Sequence, residues 1–388
     1  FLQAARRKYV AYAVFTLCAG LYVLPFMRLL LRGTDEGFLI DGAVRIVHGQ
    51  VFARDFFEVV GPGTFYWLAL FFRLFGVTFL ATRICLYLST LGTALLMYFL
   101  ARRICRGYQV LPCLLLFSTS FGMLWPAISH HTDSNFFALL AVACMVLWLD
   151  RRRDAFLVAA GALAAATTCF LQPKGILLFA AILAWLWLQH RRASAPLSSV
   201  GLVAAGYAGV GALVLFYFWS RGALRDLVYA NALWPFRHYD GVSAVPYGRG
   251  ILLYYWDHWA TAAHELNWTV AMASVLIVPF LFVAAIPVML PVLGLAGAAE
   301  FRHRARLDQP VIWLYLLCGC ALWLSEIHRK DICHLVYGSP LLIVLCVYFL
   351  AIRSGKPPRL ALQLLSICAA CLAAFNFFMV LVARPVPT

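Results

Sequence analysis

The feature that most constrains this chain is its rhythm of long apolar runs punctuated by short basic clusters. Runs of roughly 18–25 residues match the length a helix needs to cross about 30 Å of hydrocarbon. Eleven apolar stretches, of about 15–26 residues, fall at 10–31, 80–101, 108–126, 134–149, 155–171, 175–190, 199–219, 268–293, 311–325, 335–352 and 361–382. A transmembrane β-barrel would show shorter segments of alternating polarity instead. Composition agrees: 64% of the 388 residues are hydrophobic, 12% are charged and the mean hydropathy is +0.86, well outside the range of soluble domains. The expected fold class is all-α integral membrane. It is a polytopic helical bundle of about eleven transmembrane helices with juxtamembrane surface helices, a single domain over residues 1–388. The run after Arg6-Arg7-Lys8 is too long for a signal peptide and lacks a small-residue cleavage site, so it reads as the first span.

The basic clusters set the orientation. Arg6-Arg7-Lys8, Arg102-Arg103-Arg106, Arg151-Arg152-Arg153, Arg191-Arg192, Arg302-Arg304-Arg306 and Arg353-Lys356-Arg359 hold 17 of the 31 Lys and Arg residues, and all fall at alternate span ends. The positive-inside rule then puts the N-terminus and these loops in the cytoplasm. The net charge of +15 therefore reflects topology, and nucleic acid is not an expected partner. The opposite face holds 12 of the 16 carboxylates and eight of the ten histidines. Polar chemistry concentrated on one rim of a membrane bundle points to function there.

Two loops on that outer rim are long, 32–79 and 220–267. In the first, Leu39, Ala43, Ile46 and Val47 share one helical face while Asp41, Arg45 and His48 recur on the other, the pattern of a surface helix. Gly61-Pro62-Gly63 breaks it, and an aromatic segment, 64–75, follows. The second loop is rich in Trp and Tyr, including Trp234, Trp256, Trp259, Tyr229 and Tyr247, residue types that anchor at the interface or stack on sugar rings. Gly201, Gly206, Gly209 and Gly211 suggest one closely packed helix face. Eleven of the twelve cysteines lie in or beside apolar runs and read as packing residues, only Cys333 being in a polar loop.

Four polar clusters share the outer rim: Asp35-Glu36, Ser129-His130-His131-Thr132-Asp133, Gln172-Pro173-Lys174-Gly175, and His328-Arg329-Lys330-Asp331 with His334. Taken residue by residue, each has a bland reading beside the functional one. Asp35 and Glu36 suit a helix start, Lys174 can snorkel to headgroups, and Asp331 with His334 can be a surface ion pair. His130 and His131 are weak candidates for a divalent metal, set against a solvated loop. Asp41 and Arg45 read as an i,i+4 pair on the surface helix.

Together the motifs resemble a family. The Asp-Glu pair after the first span, Phe52-Ala53-Arg54-Asp55-Phe56-Phe57-Glu58, Gly61-Pro62-Gly63-Thr64-Phe65-Tyr66-Trp67, Pro173-Lys174-Gly175 and Arg329-x-Asp331-x-x-His334-Leu335 are similar, in order and placement, to the GT-C fold glycosyltransferases that use lipid-linked sugars. Their relatives include protein O-mannosyltransferases, the aminoarabinose transferase acting on lipid A and the RgtA/B/C/D-like bacterial transferases. The resemblance covers roughly residues 10–350. It implies transfer of a sugar from a polyprenyl-phosphate donor to a glycan, lipid or protein acceptor, with inversion at the sugar carbon. By the same resemblance Asp35 is the general base with Glu36 as a further catalytic candidate, Asp133 has a supporting role near the acceptor or a metal, and Lys174, Arg329, His334 and Arg54 serve the donor phosphate. No cofactor is implied beyond an optional divalent metal ion. Many relatives carry Lys-Pro-Pro where this chain has Val60-Gly61-Pro62, so the phosphate-holding cation must come from Arg54, Lys174, Arg329 or Lys330.

The chemistry suits these residue types. A sugar leaving a polyprenyl phosphate departs with an anion already stable, so fixed positive charge beside the departing oxygens matters more than a strong acid. An acceptor hydroxyl needs a carboxylate to take its proton. A second class of function fits the departure at Val60: a catalytically silent GT-C-like subunit with a structural role in a membrane complex.

Overall fold

In lipid every backbone N–H must find its carbonyl within the same segment, so apolar runs of this length close into helices. The computed structural model of the protein describes residues 2–29, 34–120, 127–243, 245–247, 268–301, 309–326, 329–352 and 356–382. Among these the chain is helical, with two isolated bridges, Phe52 with Phe56 and Val245 with Arg329, and no strand.

Helix α1, Leu2–Val23, ends in a 3-10 turn, Leu24–Arg28. The first long loop forms α2, Thr34–Val47, and α3, Gly63–Phe75. The bundle continues through α4, Phe79–Ile104; α5, Leu111–Thr119; α6, His130–Arg151; α7, Ala155–Phe170; α8, Gln172–Arg191; and α9, Ser198–Ser220. Then come α10, Leu224–Val228, a π turn, Tyr229–Leu233, and α11, Trp234–Ser243. The last part is α12, Trp268–Phe301; α13, Pro310–Leu324; α14, Ile332–Gly338; α15, Pro340–Ile352; and α16, Lys356–Val382.

Seven of the described helices are long and apolar enough to cross a membrane: Tyr9–Arg28, Phe79–Ile104, His130–Arg151, Gln172–Arg191, Ser198–Ser220, Val270–Ala296 and Arg359–Val382. The run expected at 335–352 is a bent helix pair, with α14 and α15 meeting at 74°. Pro340 has no N–H to continue the ladder and its ring restricts Ser339, so the first helix stops there. Helices α7 and α13 are shorter apolar helices at the expected runs 155–171 and 311–325. At 108–126 the helix covers only Leu111–Thr119, and residues 121–126 lie outside the described residues.

The surface helix of the first loop forms with the expected face. Leu39, Ala43 and Ile46 are buried, and Asp41 and His48 are exposed. Asp41 and Arg45 pair at 2.6 Å on the wet side. Helix α3 crosses α2 closely enough that a Cβ on Gly42 would sit 2.4 Å from the Phe65 ring. Phe65, Leu68, Phe71 and Phe72 of α3 are buried, joining Val23, Phe26 and Leu86 in a core distinct from the larger one of the main bundle.

The expected glycine face is smaller than the sequence suggests. A Cβ on Gly206 would lie 2.1 Å from Val158 O, and one on Gly161 would lie 1.9 Å from Val203 O. These two let α7 and α9 touch backbone to backbone, whereas Gly201, Gly209 and Gly211 meet nothing within 4 Å. All twelve cysteines are free thiols, and six of them are buried as packing residues. The second long loop is helical as far as Ser243, and its Trp256 and Trp259 lie outside the described residues.

Candidate active site at the meeting of four helix ends

The starts of α6, α8 and α14 and the turn after α13 bring a buried polar cluster together. Helix α6 begins at His130, earlier than the apolar run implies, because Ser129 caps it by accepting from His131 N at 3.2 Å. His130 to Asp133 are therefore the first helical turn and not a solvated loop. Helical spacing then sorts the side chains: His131 and Asn135, four apart, share a face, and Asp133 points elsewhere. Asp133 is 2% exposed and accepts from Ser89 Oγ of α4 at 3.1 Å.

Lys174 is the centre of the cluster. Pro173 suits the first turn of α8, where a missing N–H costs nothing. Gly175 lets that turn press on α7, since a Cβ there would lie 2.2 Å from Thr168 N. Lys174 is consequently carried inward. It is 0% exposed, with Nζ donating to Asn135 Oδ1 at 3.0 Å and pairing with Glu326 Oε1 at 2.8 Å. It does not snorkel.

Glu326, in the turn after α13, is 3% exposed and also takes His131 Nδ1 at 3.1 Å. Burial alone would raise its carboxyl, but Lys174 and His131 hold it well below the ordinary carboxylate range. Three residues on, Arg329 N donates to Glu326 O at 3.1 Å, and Arg329 Nε is buried with no hydrogen-bond partner among the described residues. Asp331 caps α14 by accepting from Cys333 N and His334 N, and His334 Nδ1 lies 2.8 Å from both its oxygens. Those bonds hold the Asp331 carboxyl low against the opposing effect of burial. The His131 ring meets the His334 ring edge-on at 4.8 Å and stacks on Tyr337 at 5.2 Å.

The remaining expected residues have partners elsewhere. Glu36 is 4% exposed and pairs through both oxygens with Arg83, at 2.7 and 2.9 Å, while Ile128 N donates to Oε1 at 3.2 Å. Asp35 is the second residue of α2, and its side chain lies outside the described residues, as does His328. Arg54 is exposed, fork-bonded to Asp55 with both contacts at 2.8 Å, and donates to Arg221 O at 2.6 Å. That fork and the Val51 N–H bring the Asp55 carboxyl down to about 2. Around Val60, Asn231 Nδ2 reaches Glu58 O, Val59 O and Val60 O at 3.3–3.5 Å. Gly61 seats the turn on α7, since a Cβ there would lie 2.2 Å from Cys169 O.

Sequence reasoning brings Lys174, His131, Arg329 and His334 to one rim, and the structure joins them. It misses Glu326, the carboxylate that links them, although a lone acid ends the run Leu322-Trp323-Leu324-Ser325. It also misses Arg83, a charge inside the expected span 80–101, which membrane energetics marks as needing a buried partner.

The dolichyl-phosphate-mannose-protein mannosyltransferase family model matches residues 59–220, a stretch that includes the Gly-Pro-Gly turn, Asp133 and Lys174. No curated protein matches the chain. The crystal structure of ArnT from Cupriavidus metallidurans bound to undecaprenyl phosphate superposes with a TM-score of 0.57 at 15% identity, covering 92% of this chain and 62% of that one. The apo structure of ArnT from the same organism aligns with a TM-score of 0.39 at 15% identity, covering 96% of this chain and 78% of that one. The chain thus spans less than two thirds of the undecaprenyl-phosphate-bound ArnT. The protein is an integral membrane protein of the GT-C fold. Within that fold its likeness is to the lipid-linked-sugar glycosyltransferases.

Proposed function

We propose that this protein transfers a sugar from a polyprenyl-phosphate donor to an acceptor at the outer membrane face, with Lys174 and Arg329 holding the donor phosphate. The observation that carries the reading is the wholly buried ammonium of Lys174 on Glu326, with Arg329, three residues on, holding a buried guanidinium N–H that has no hydrogen-bond partner among the described residues. An ammonium has three donors; Asn135 and Glu326 occupy two, which aims the group and leaves one for an incoming oxygen. A buried donor without an acceptor is costly unless a ligand supplies one. Similarity to ArnT bound to undecaprenyl phosphate supports a polyprenyl phosphate as that ligand. His334, steered by Asp331, stands beside them, and Lys174 and Arg329 supply the charge that Val60 does not.

Asp35 is the proposed base, by resemblance. Glu36, saturated by Arg83 and Ile128 N, anchors α2 beneath it, and Asp133 supports the start of α6. The N-terminus and the basic loops lie in the cytoplasm of a bacterial inner membrane in this reading, which puts the cluster on the far side. Native mass spectrometry of the intact protein with undecaprenyl phosphate tests the donor site: Lys174→Met and Arg329→Gln should each release the lipid. Undiminished binding by both variants would sink the assignment. Transfer by an Asp35→Asn protein at the native rate would remove Asp35 as base.

A further inference from the structure

We infer that His131, Glu326 and His334 form a divalent transition-metal site, with Zn2+ as its best-suited ion. One ligand atom from each of the three lies within 4.8 Å of the others, drawn from α6, the turn after α13 and α14. One imidazole–carboxylate contact in the group is already at ligand spacing. In a tetrahedron with bonds of about 2.0–2.1 Å, ligand atoms lie about 3.3 Å apart. His131 Nδ1 and Glu326 Oε1 are 3.1 Å apart. The widest pair must close by about 1.5 Å, a shift within reach of side-chain rotation at this spacing.

A second observation fixes the imidazoles. His334 Nδ1 is bound to the Asp331 carboxylate, which leaves Nε2 as the nitrogen available for a metal. This carboxylate–histidine arrangement is the one that orients metal-binding rings and raises their basicity. Asp331 is itself held by the backbone N–H groups of Cys333 and His334, so the ring sits on a fixed mount. The His131 ring is held by stacking on Tyr337. Two imidazoles and one carboxylate favour Zn2+ over Mg2+ or Ca2+, which prefer all-oxygen shells. Three protein ligands leave the fourth position for water or an anionic oxygen.

The site differs from the one the sequence suggests. His130 is a neighbour of His131, with ring centroids 4.1 Å apart, but takes no part in the cluster, and Asp133 turns to Ser89. The ammonium of Lys174 shares Glu326 Oε1, and its like charge weakens an ion bound beside it. Zn2+ binding does not depend on the donor reading, since it is measured without any lipid.

The test is titration of the intact detergent-purified protein with Zn2+ against a chromophoric chelator, with Co2+ as a spectroscopic probe. One Zn2+ per chain is expected, with Co2+ giving the intense visible bands of a four-coordinate ion. His334→Ala and Glu326→Gln should each weaken Zn2+ binding at least tenfold, and Asp331→Asn should weaken it about tenfold. His130→Ala should leave it unchanged, and Lys174→Met should tighten it. Each variant is checked for a native thermal midpoint, and His131→Gln serves as the substitute where His334→Ala does not fold. Binding in the native protein no tighter than in His334→Ala would overturn the site. So would loss of binding in His130→Ala, or weaker binding in Lys174→Met.

Discussion

Two buried ion pairs in this molecule use similar residues for different ends. Glu36 and Arg83 meet through two parallel hydrogen bonds, Ile128 N takes a third, and the guanidinium lies over the Phe79 ring at 4.2 Å. Every described partner of that carboxylate comes from the protein. Lys174 and Glu326 meet through one oxygen, with His131 on the same oxygen and His334 alongside. The first is a clamp joining the surface helix to α4. The second is a cluster of cations and ligands gathered on one acid, with capacity left for a guest. A buried pair stabilises little when weighed against apolar packing, but losing one partner is costly. Both pairs are buried, and what separates them is geometry: two parallel bonds to two oxygens in the first, an ammonium and an imidazole on a single oxygen in the second.

The comparison breaks most readily at single substitutions. Arg83→Met leaves Glu36 buried and unpaired, and should cost about 3–5 kcal/mol in thermal or denaturant unfolding. A change below 1 kcal/mol would mean the clamp is not a buried pair in solution. Paired apolar replacement should then separate the two regions by activity. Glu36→Leu with Arg83→Met keeps transfer near the native rate, while Lys174→Met with Glu326→Leu folds yet loses about 10²–10³-fold in transfer rate, the loss typical of removing preorganised charge at a reacting oxygen. Equal losses from both double variants would erase the distinction.

Acid sharpens it further. The Glu326 carboxyl is depressed in the folded protein, so its contribution is fully present above the unfolded value of about 4.3 and is lost as pH falls through the lower folded value. The stability gap between the native protein and Glu326→Gln should therefore narrow below about pH 4. A gap that does not narrow there would contradict the depressed carboxyl. At the small end stands the exposed Asp41–Arg45 pair, a reference for a solvated contact. Arg45→Ala should cost about 0.2–0.5 kcal/mol, less still in high salt.

Much of this was legible in the sequence. The spacing of Leu39, Ala43 and Ile46 dictates a surface helix, and the basic clusters dictate which polar segments share a rim, since both are properties of one segment at a time. The bend at Ser339 could be read from Pro340. Glu326 could not be ranked above the other carboxylates of its rim, because nothing local to it says that Lys174, 152 positions earlier, will be carried inward by Gly175 pressing on Thr168. The same holds for the four glycines of α9, identical in sequence terms, of which only Gly206 meets a partner backbone.

By itself, then, the sequence determined that this chain is a membrane helical bundle, how its segments alternate, and which of their ends carry polar chemistry. Periodicity, length and charge act within a segment, and hydrocarbon leaves the backbone few alternatives. Tertiary structure alone decided which acid meets which base. That choice depends on how closely helices approach across the bundle, and the approach is set by contacts between residues far apart in the chain. Glu36 was thereby closed off by Arg83, and Glu326 was left at the centre of the site.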